Sequence, residues 1–356
     1  IDVGFYNAHK QPALAHLFEG GRIAHTRDFV TPGREDFFGT AETGLDNHGT
    51  QVLMMIAGRD TAAGRQWGFA PDARYCLART DHGRRESRVE EDYWVAALEW
   101  MDSLGVRLVN TSLGYGLGFD DPAENYAPEQ MDGRTSLVAR AAQIATEERG
   151  MIIVVSAGND GNNPRWRYVS TPADAAGVLT VGATTFDVWR RMGYSGVGPE
   201  YLPYVKPDVA CFSLTGTSFA APVVAGFAAC LLQRTPDLAA DSLLRLVKRS
   251  GHLYPYGNNH VGWGVPRTGR ALALLAGEAP AATAESIMAK GNRVKLRVGG
   301  EQPRAHALLY HKKDAWRVIE QQEARVRWGK LLVERPEGAV RTTVDLRDRV
   351  IEVRWQ

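Results

Sequence analysis

The chain has 356 residues, a formal net charge of +1, and 44% apolar against 23% charged residues. That balance is ordinary for a globular protein and leaves room for one large α/β domain plus something small. It gives no electrostatic case for nucleic acid or a membrane surface, and no apolar run reads as the ~18 residues of a membrane span.

Three cysteines, Cys76, Cys211 and Cys230, exclude a disulfide framework but leave a single bridge, and with it the redox compartment, open. No signal peptide is visible and the first residue is not methionine. The expectation is a processed or truncated chain, with residues absent before Ile1.

Ile1-Asp2-Val3-Gly4-Phe5 reads as the end of a buried strand running into a glycine turn. Asp2 then sits at a strand's carboxyl end, where open α/β sheets place their sites, although alone it reads as a loop aspartate. Residues 6–45 carry turn signals and little chemistry. His48 opens an apolar helix that Gly58 closes; a lone histidine there is more often structural. A strand is expected at 74–78 and an amphipathic helix at 89–104, with Trp94, Ala97, Leu98, Met101 and Leu104 on one face. Residues 106–112 form the next strand, leading into Leu113 and Gly114. A helix over 134–149, a continuous apolar strand over 151–156 and a short strand over 178–182 follow.

Strands alternating with helices predict right-handed crossovers and a doubly wound, mainly parallel sheet with helices on both faces. In Gly216-Thr217-Ser218-Phe219-Ala220-Ala221-Pro222 the proline falls in the first turn of a helix that is apolar on nearly every face. Ser218 is therefore mounted at the positive end of a buried helix, where developing negative charge is favoured. An N-cap serine is the plainer account of that residue by itself. Helices near 238–249 and 268–277 complete a domain expected over 1–278. A small-residue linker spans 279–284. Period-two alternation then predicts a small antiparallel β module over 285–356. That module carries sixteen lysines and arginines against ten acidic residues. Solvated strand faces explain such charges better than an acidic partner does.

Three groups make a chemical set. A serine hydroxyl is a weak nucleophile near neutral pH and needs a base of matching pKa, which is imidazole. The imidazole needs a buried carboxylate to fix its tautomer and stabilise the cation formed during reaction. Asp2, His48 and Ser218 supply these parts. Asn159, after the strand at 151–156, adds a side-chain amide that with the Ser218 N–H can hold an oxyanion, although it also suits a plain turn. Ser112-Leu113-Gly114 offers a strand edge to an extended peptide, or is simply a strand exit.

Those motifs resemble the subtilisin family of serine endopeptidases, over roughly residues 1–278. Ile1-Asp2-Val3-Gly4, His48-Gly49-Thr50 and the heptapeptide around Ser218 carry the catalytic positions. Ser112-Leu113-Gly114 matches the substrate strand, and Ala157-Gly158-Asn159 the primary pocket wall and oxyanion hole. The resemblance implies protein or peptide substrates, a seven-stranded parallel core, a propeptide removed on maturation, and a secreted or cell-envelope location. It implies no cofactor for the chemistry but often bound calcium. Asp120 and Asp121 precede a turn and Glu90, Glu91 and Asp92 open a helix; spacing shows no cage, and a dipole-favoured first turn explains the second group. Two features depart from the family pattern. The aspartate lies very near the chain start, and 206–214 is short, which leads us to expect residues absent within 208–215. Two rival readings stand beside peptide hydrolysis: a catalytically inactive peptide-binding relative, and an esterase or peptide ligase on the same fold.

Overall fold

The computed structural model describes residues 1–39, 41–278, 284–298 and 306–356. Up to residue 278 the elements run α1 (Ala15–Glu19), β1 (Ile23–Asp28), α2 (His48–Ala57), a two-stranded ribbon of β2 (Arg59–Asp60) and β3 (Arg65–Gln66), β4 (Tyr75–Arg79), α3 (Val89–Ser103), β5 (Leu108–Thr111), α4 (Leu137–Glu147), β6 (Ile152–Ser156), β7 (Leu179–Thr184), β8 (Val209–Phe212), α5 (Ala221–Arg234), α6 (Ala240–Ser250) and α7 (Thr268–Leu275). β1 pairs with β4, and β5, β6, β7 and β8 pair in that order, all in parallel.

Residues 1–3 close the space between the two groups. The Asp2 N–H donates to Ala78 O at 3.0 Å, the Thr80 N–H to Asp2 O at 3.2 Å, and the Ile1 amino group to Asn110 O at 3.0 Å. The segment thus spans from β4 to β5, with Asp2 bridged in parallel to Arg79, beside six parallel strands where the resemblance implies seven.

The apolar run of β6 explains why helices cover both faces. Every residue of β6 is buried. Ile153 and Val155 join Trp94, Leu98 and Met101 of α3 and Val138 and Ala142 of α4 in one core. Ile152 and Val154 point the other way, into Val224, Ala228 and Leu231 of α5 and Leu243 and Val247 of α6. Alternate residues of one strand thus feed two cores, as period two requires.

Three local expectations shift. The helix expected from 134 starts at Leu137, because the Ser136 hydroxyl accepts the Ala139 N–H at 3.0 Å and caps it there. β1 and β8 went unread, their apolar patterns being broken by charge and by Lys206-Pro207. β8 is anchored instead by buried Lys206, whose Nζ donates to Val178 O at 2.8 Å, Thr180 Oγ1 at 3.0 Å and Asp208 Oδ2 at 2.7 Å. From Phe212 the chain turns directly into the serine segment, closed by Ser213, whose N–H donates to Thr184 O at 3.3 Å and whose Oγ donates to Gly216 O at 2.6 Å.

The stretch Thr217–Arg234 reaches 18 residues at mean hydropathy 1.2, so by length and composition alone it could cross a membrane, contrary to expectation. Here it is packed under the sheet, with Ala221, Val224, Ala225, Ala228 and Leu231 buried. All three cysteines are free.

The C-terminal part holds β9 (Ala284–Ala289), β10 (Arg293–Arg297), β11 (His306–Lys312), β12 (Val318–Arg325), β13 (Lys330–Glu334), β14 (Arg341–Asp345) and β15 (Val350–Trp355). Five of them form a sheet in the order β12-β11-β14-β15-β9, and β10 pairs with β13. The pairing is antiparallel except that β9 runs parallel to β15, a departure from the expected antiparallel module. Most of the expected linker, 279–283, lies outside the described residues, and Ala284 already belongs to β9. One face of the sheet packs on the β10–β13 ribbon. The other sends Leu308, Tyr310, Val318 and Val350 against Ala210, Leu253 and Val261.

Candidate active site

Asp2 is 1% exposed. Its Oδ1 accepts the Val3 N–H at 2.9 Å and lies 2.6 Å from His48 Nδ1. Its Oδ2 is buried without a hydrogen-bond partner. The approach depends on Gly49, since a Cβ there would fall 2.5 Å from Gly4 O and 2.8 Å from Asp2 Cβ. Arg79 fixes the surroundings: its Nε donates to Val3 O at 2.9 Å, and its Nη atoms reach Asp28 at 3.2 Å and Asp46 at 3.4 Å. Burial opposes charge on the His48 ring, but the Asp2 charge and hydrogen bond outweigh it. With a smaller pull from Asp81 they raise the His48 pKa above its ordinary value.

Ser218 lies in a single 3-10 turn (Thr217–Phe219) just before α5, and is 8% exposed. The ring of Phe219, the next residue, packs on the His48 ring with centroids 5.6 Å apart. Two further bonds tie this turn to the end of β5. Ser112 Oγ donates to Ser218 O at 2.9 Å, and Ser218 Oγ donates to Ser112 O at 3.3 Å. In this rotamer the Ser218 hydroxyl faces that carbonyl and not the imidazole.

Asn159 Oδ1 accepts the Thr217 N–H at 2.9 Å and the Thr217 hydroxyl at 3.0 Å. Its oxygen is thus engaged, and its NH2 is left to donate beside Ser218. Gly158 has φ +89°, a conformation that suits glycine, and its N–H donates to Thr217 Oγ1 at 3.1 Å. Ala157 is fully buried and pairs through its backbone with Val181 and Ser170. Thr217, whose role the sequence did not disclose, is therefore the clasp between the serine turn and the Asn159 loop. Its place inside the heptapeptide was the one available signal.

Beyond β5, Leu113 and Gly114 make no backbone hydrogen bonds among the described residues, while Tyr115 pairs both ways with Thr171 at 2.8 and 2.9 Å. This is a short free edge beside Ser218. Gly114 admits Ser170, whose Cβ would lie 2.9 Å from a Cβ at this position. A separate cavity of about 510 Å³ lies under Ile1 and Asp2, lined by Leu77, Val109 and Ala225, away from Asn159 and Ser218.

The acidic residues considered for calcium divide. Asp121 Oδ1 accepts the Ala123 N–H at 2.8 Å, and Glu91 accepts the Tyr126 hydroxyl at 2.7 and 2.9 Å, so both serve locally. Glu90 instead joins Asp81 and Glu86, two residues the sequence did not single out.

Comparison with known proteins places this geometry. Residues 38–264 match the subtilase family, a stretch that does not include Asp2. Subtilisin DY of Bacillus licheniformis is 26% identical over 238 residues, covering 64% of this chain and 79% of that protein. An extracellular serine proteinase of Thermus sp. is 29% identical over 263 residues, 68% of this chain and 55% of that protein. The crystal structure of MycP1 with its N-terminal propeptide removed superposes with a TM-score of 0.52 at 24% identity, over 71% of this chain and 84% of that one, a likeness of fold. The chain belongs to the subtilase family and is a serine-type endopeptidase with the subtilisin α/β fold and an added C-terminal β sheet.

Proposed function

We propose that the chain cleaves peptide bonds through an acyl-enzyme on Ser218, with His48 as base and Asp2 as its partner. The observation that carries this reading is the 2.6 Å contact between the buried Asp2 carboxylate and His48 Nδ1, with the Ser218 turn packed on the same ring through Phe219. Proton transfer requires Ser218 Oγ to leave the Ser112 carbonyl for His48 Nε2; catalytic hydrogen bonds that are misaligned without substrate often tighten when it binds.

Ser218 Oγ bonds to the scissile carbonyl carbon while its proton passes to His48 Nε2. The oxyanion accepts hydrogen bonds from Asn159 Nδ2 and the Ser218 N–H. The C–N bond then breaks, and His48 gives its proton to the leaving amine. Water adds to the acyl carbon, losing a proton to His48, and the C–O bond breaks as Ser218 regains that proton. Asp2 stays ionised throughout, holding the imidazole tautomer. The substrate lies extended along Leu113 and Gly114, with Ala157 and Gly158 beside its primary side chain. Substrates are proteins or peptides, a propeptide precedes maturation, and the enzyme works outside the cytoplasm; the names of the relatives support these three points.

The Ser218–Ser112 bond favours one other reading, a peptide-binding relative that does not turn over. A fluorophosphonate probe separates them. Wild-type protein is expected to gain one adduct, localised to Ser218 by mass spectrometry, and Ser218→Ala none. A folded wild-type sample that stays unlabelled overturns the catalytic reading. Matched ester and amide substrates test the esterase or ligase variant, which predicts turnover of the ester alone.

A further inference from the structure

Where β4 gives way to α3, three carboxylates converge on one point. One oxygen each from Asp81, Glu86 and Glu90 lies within 4.8 Å of the other two. Asp81 is 6% exposed and Glu90 0%, while Glu86 faces solvent, so the cluster is closed behind and open in front. Backbone donors aim the inner pair: the Gly83 N–H reaches Asp81 Oδ1 at 2.7 Å, and the His82 N–H reaches Glu90 Oε1 at 3.0 Å. The Glu86 carbonyl accepts the Asp120 N–H at 2.9 Å, fixing the loop that carries the third.

Glu90 Oε2 is buried with no hydrogen-bond partner, and it belongs to a carboxyl that lies within hydrogen-bonding reach of Asp81. Three of the four arginines around the cluster are engaged elsewhere, and the fourth, Arg85, is exposed and forms no ion pair with it among the described residues. Arg79 holds Asp28 and Asp46, Arg84 donates to Glu42 O, and Arg88 donates to Glu124 O. Among the described residues no ion pair reaches Asp81, Glu86 or Glu90. Anions this close and this buried need a positive partner between them, which is either a proton or a metal ion.

We propose that Asp81, Glu86 and Glu90 bind a divalent cation of the calcium class. Hard cations take oxygen ligands, and calcium accepts six to eight in flexible geometry at about 2.3–2.6 Å, so its opposite ligands stand roughly 5 Å apart, in keeping with the spacing here. Three carboxylates supply part of the shell, and the open side at Glu86 admits water for the rest. The Tyr115 hydroxyl donates to Glu90 O at 3.3 Å, and Tyr115 follows the Leu113–Gly114 edge directly. The cation thus braces the wall of the cleft from behind, and its binding does not depend on the chemistry assigned to Ser218.

The test uses Ser218→Ala protein, which cannot digest itself, stripped with EDTA and titrated with terbium. Tyr115 is placed to sensitise terbium luminescence. The expected result is a saturable signal that calcium displaces, together with a melting temperature several degrees higher in calcium than in EDTA. Glu86→Gln, at an exposed position that tolerates the change, and Glu90→Gln are each expected to weaken terbium binding about tenfold or more and to remove the calcium-dependent shift. Three results overturn the proposal. One is no terbium or calcium binding by the parent, which assigns a shared proton to the site. Another is binding that persists unchanged in both variants. The last is calcium indifference joined to loss of Lys- or Arg-containing peptide binding in Glu86→Gln, which makes the cluster a pocket for a basic side chain.

Discussion

The Asp2–His48 contact has a direct consequence for pH dependence. His48 must be neutral to accept a proton, and its pKa lies above the ordinary value of 6.5 because of Asp2. Activity therefore rises with pH through a limb set above 6.5. Asp2→Asn removes the charge that lifts it. The expected outcome is a limb displaced to lower pH and a kcat reduced by about 10³–10⁴-fold, read from a kcat–pH profile. Asn159 answers to a different measurement. Its oxygen is occupied by Thr217, so only its NH2 is free to meet developing charge. Asn159→Ala is expected to lower kcat by about 10²–10³-fold with little change in KM. Thr217→Val should produce a milder form of the same loss, since it loosens the loop and leaves the amide in place. Asp2, His48, Ser218 and Asn159 stand out in the sequence as candidates because each sits in a short local motif. Thr217 and Arg79 were not, since their roles are hydrogen bonds to residues tens of positions away.

Among the elements, β8 shows how much a strand can depend on charges its pattern does not announce. Asp208 is fully buried, and although burial resists its ionisation, Lys206 and Lys248 hold its pKa below the ordinary carboxylate range. Lys248 Nζ reaches Asp208 Oδ1 at 2.6 Å, joining α6 to the same pair. Replacing one partner leaves a buried charge without its counterion. Asp208→Asn should therefore cost about 3–5 kcal/mol in urea unfolding, while a double exchange of Lys206 and Asp208 for apolar residues of similar size should cost much less. Elements with a clean period came through from sequence: β6, α3 and α5 bury the faces their spacing assigned, except that Leu104 follows the end of α3 and is exposed. β1 and β8 did not, because their place in the sheet is settled by the strands beside them. The same holds for the parallel run of β9 along β15, since no local pattern tells a strand which neighbour it will take.

At the scale of the whole molecule, the C-terminal sheet is joined to the enzyme fold by more than the intervening chain. His252 Nε2 lies 3.0 Å from Asp345 Oδ2 with both side chains buried, and Asn259 accepts the Val318 N–H at 2.9 Å while its own N–H donates to Trp316 O at 3.0 Å. In β12, Glu320, Gln322, Glu323 and Arg325 are exposed while Val318 is covered, whereas Lys312 and Glu352 of the same sheet are buried as an ion pair at 3.0 Å. Alternation made this sheet foreseeable as a sheet. Its docking surface was hidden, because Leu308 and Tyr310 look the same in sequence whether they cover a neighbour or a small core of their own.

That shared seam alters what covalent continuity means for this protein. Ala210, on a strand of the catalytic sheet, is packed against Tyr310 and Val350 of the appended one, so the two parts hold each other as subunits do. A polypeptide severed after Glu278 would lose its tether and keep its partner, travelling through a sizing column as a single particle until denaturant parts the halves.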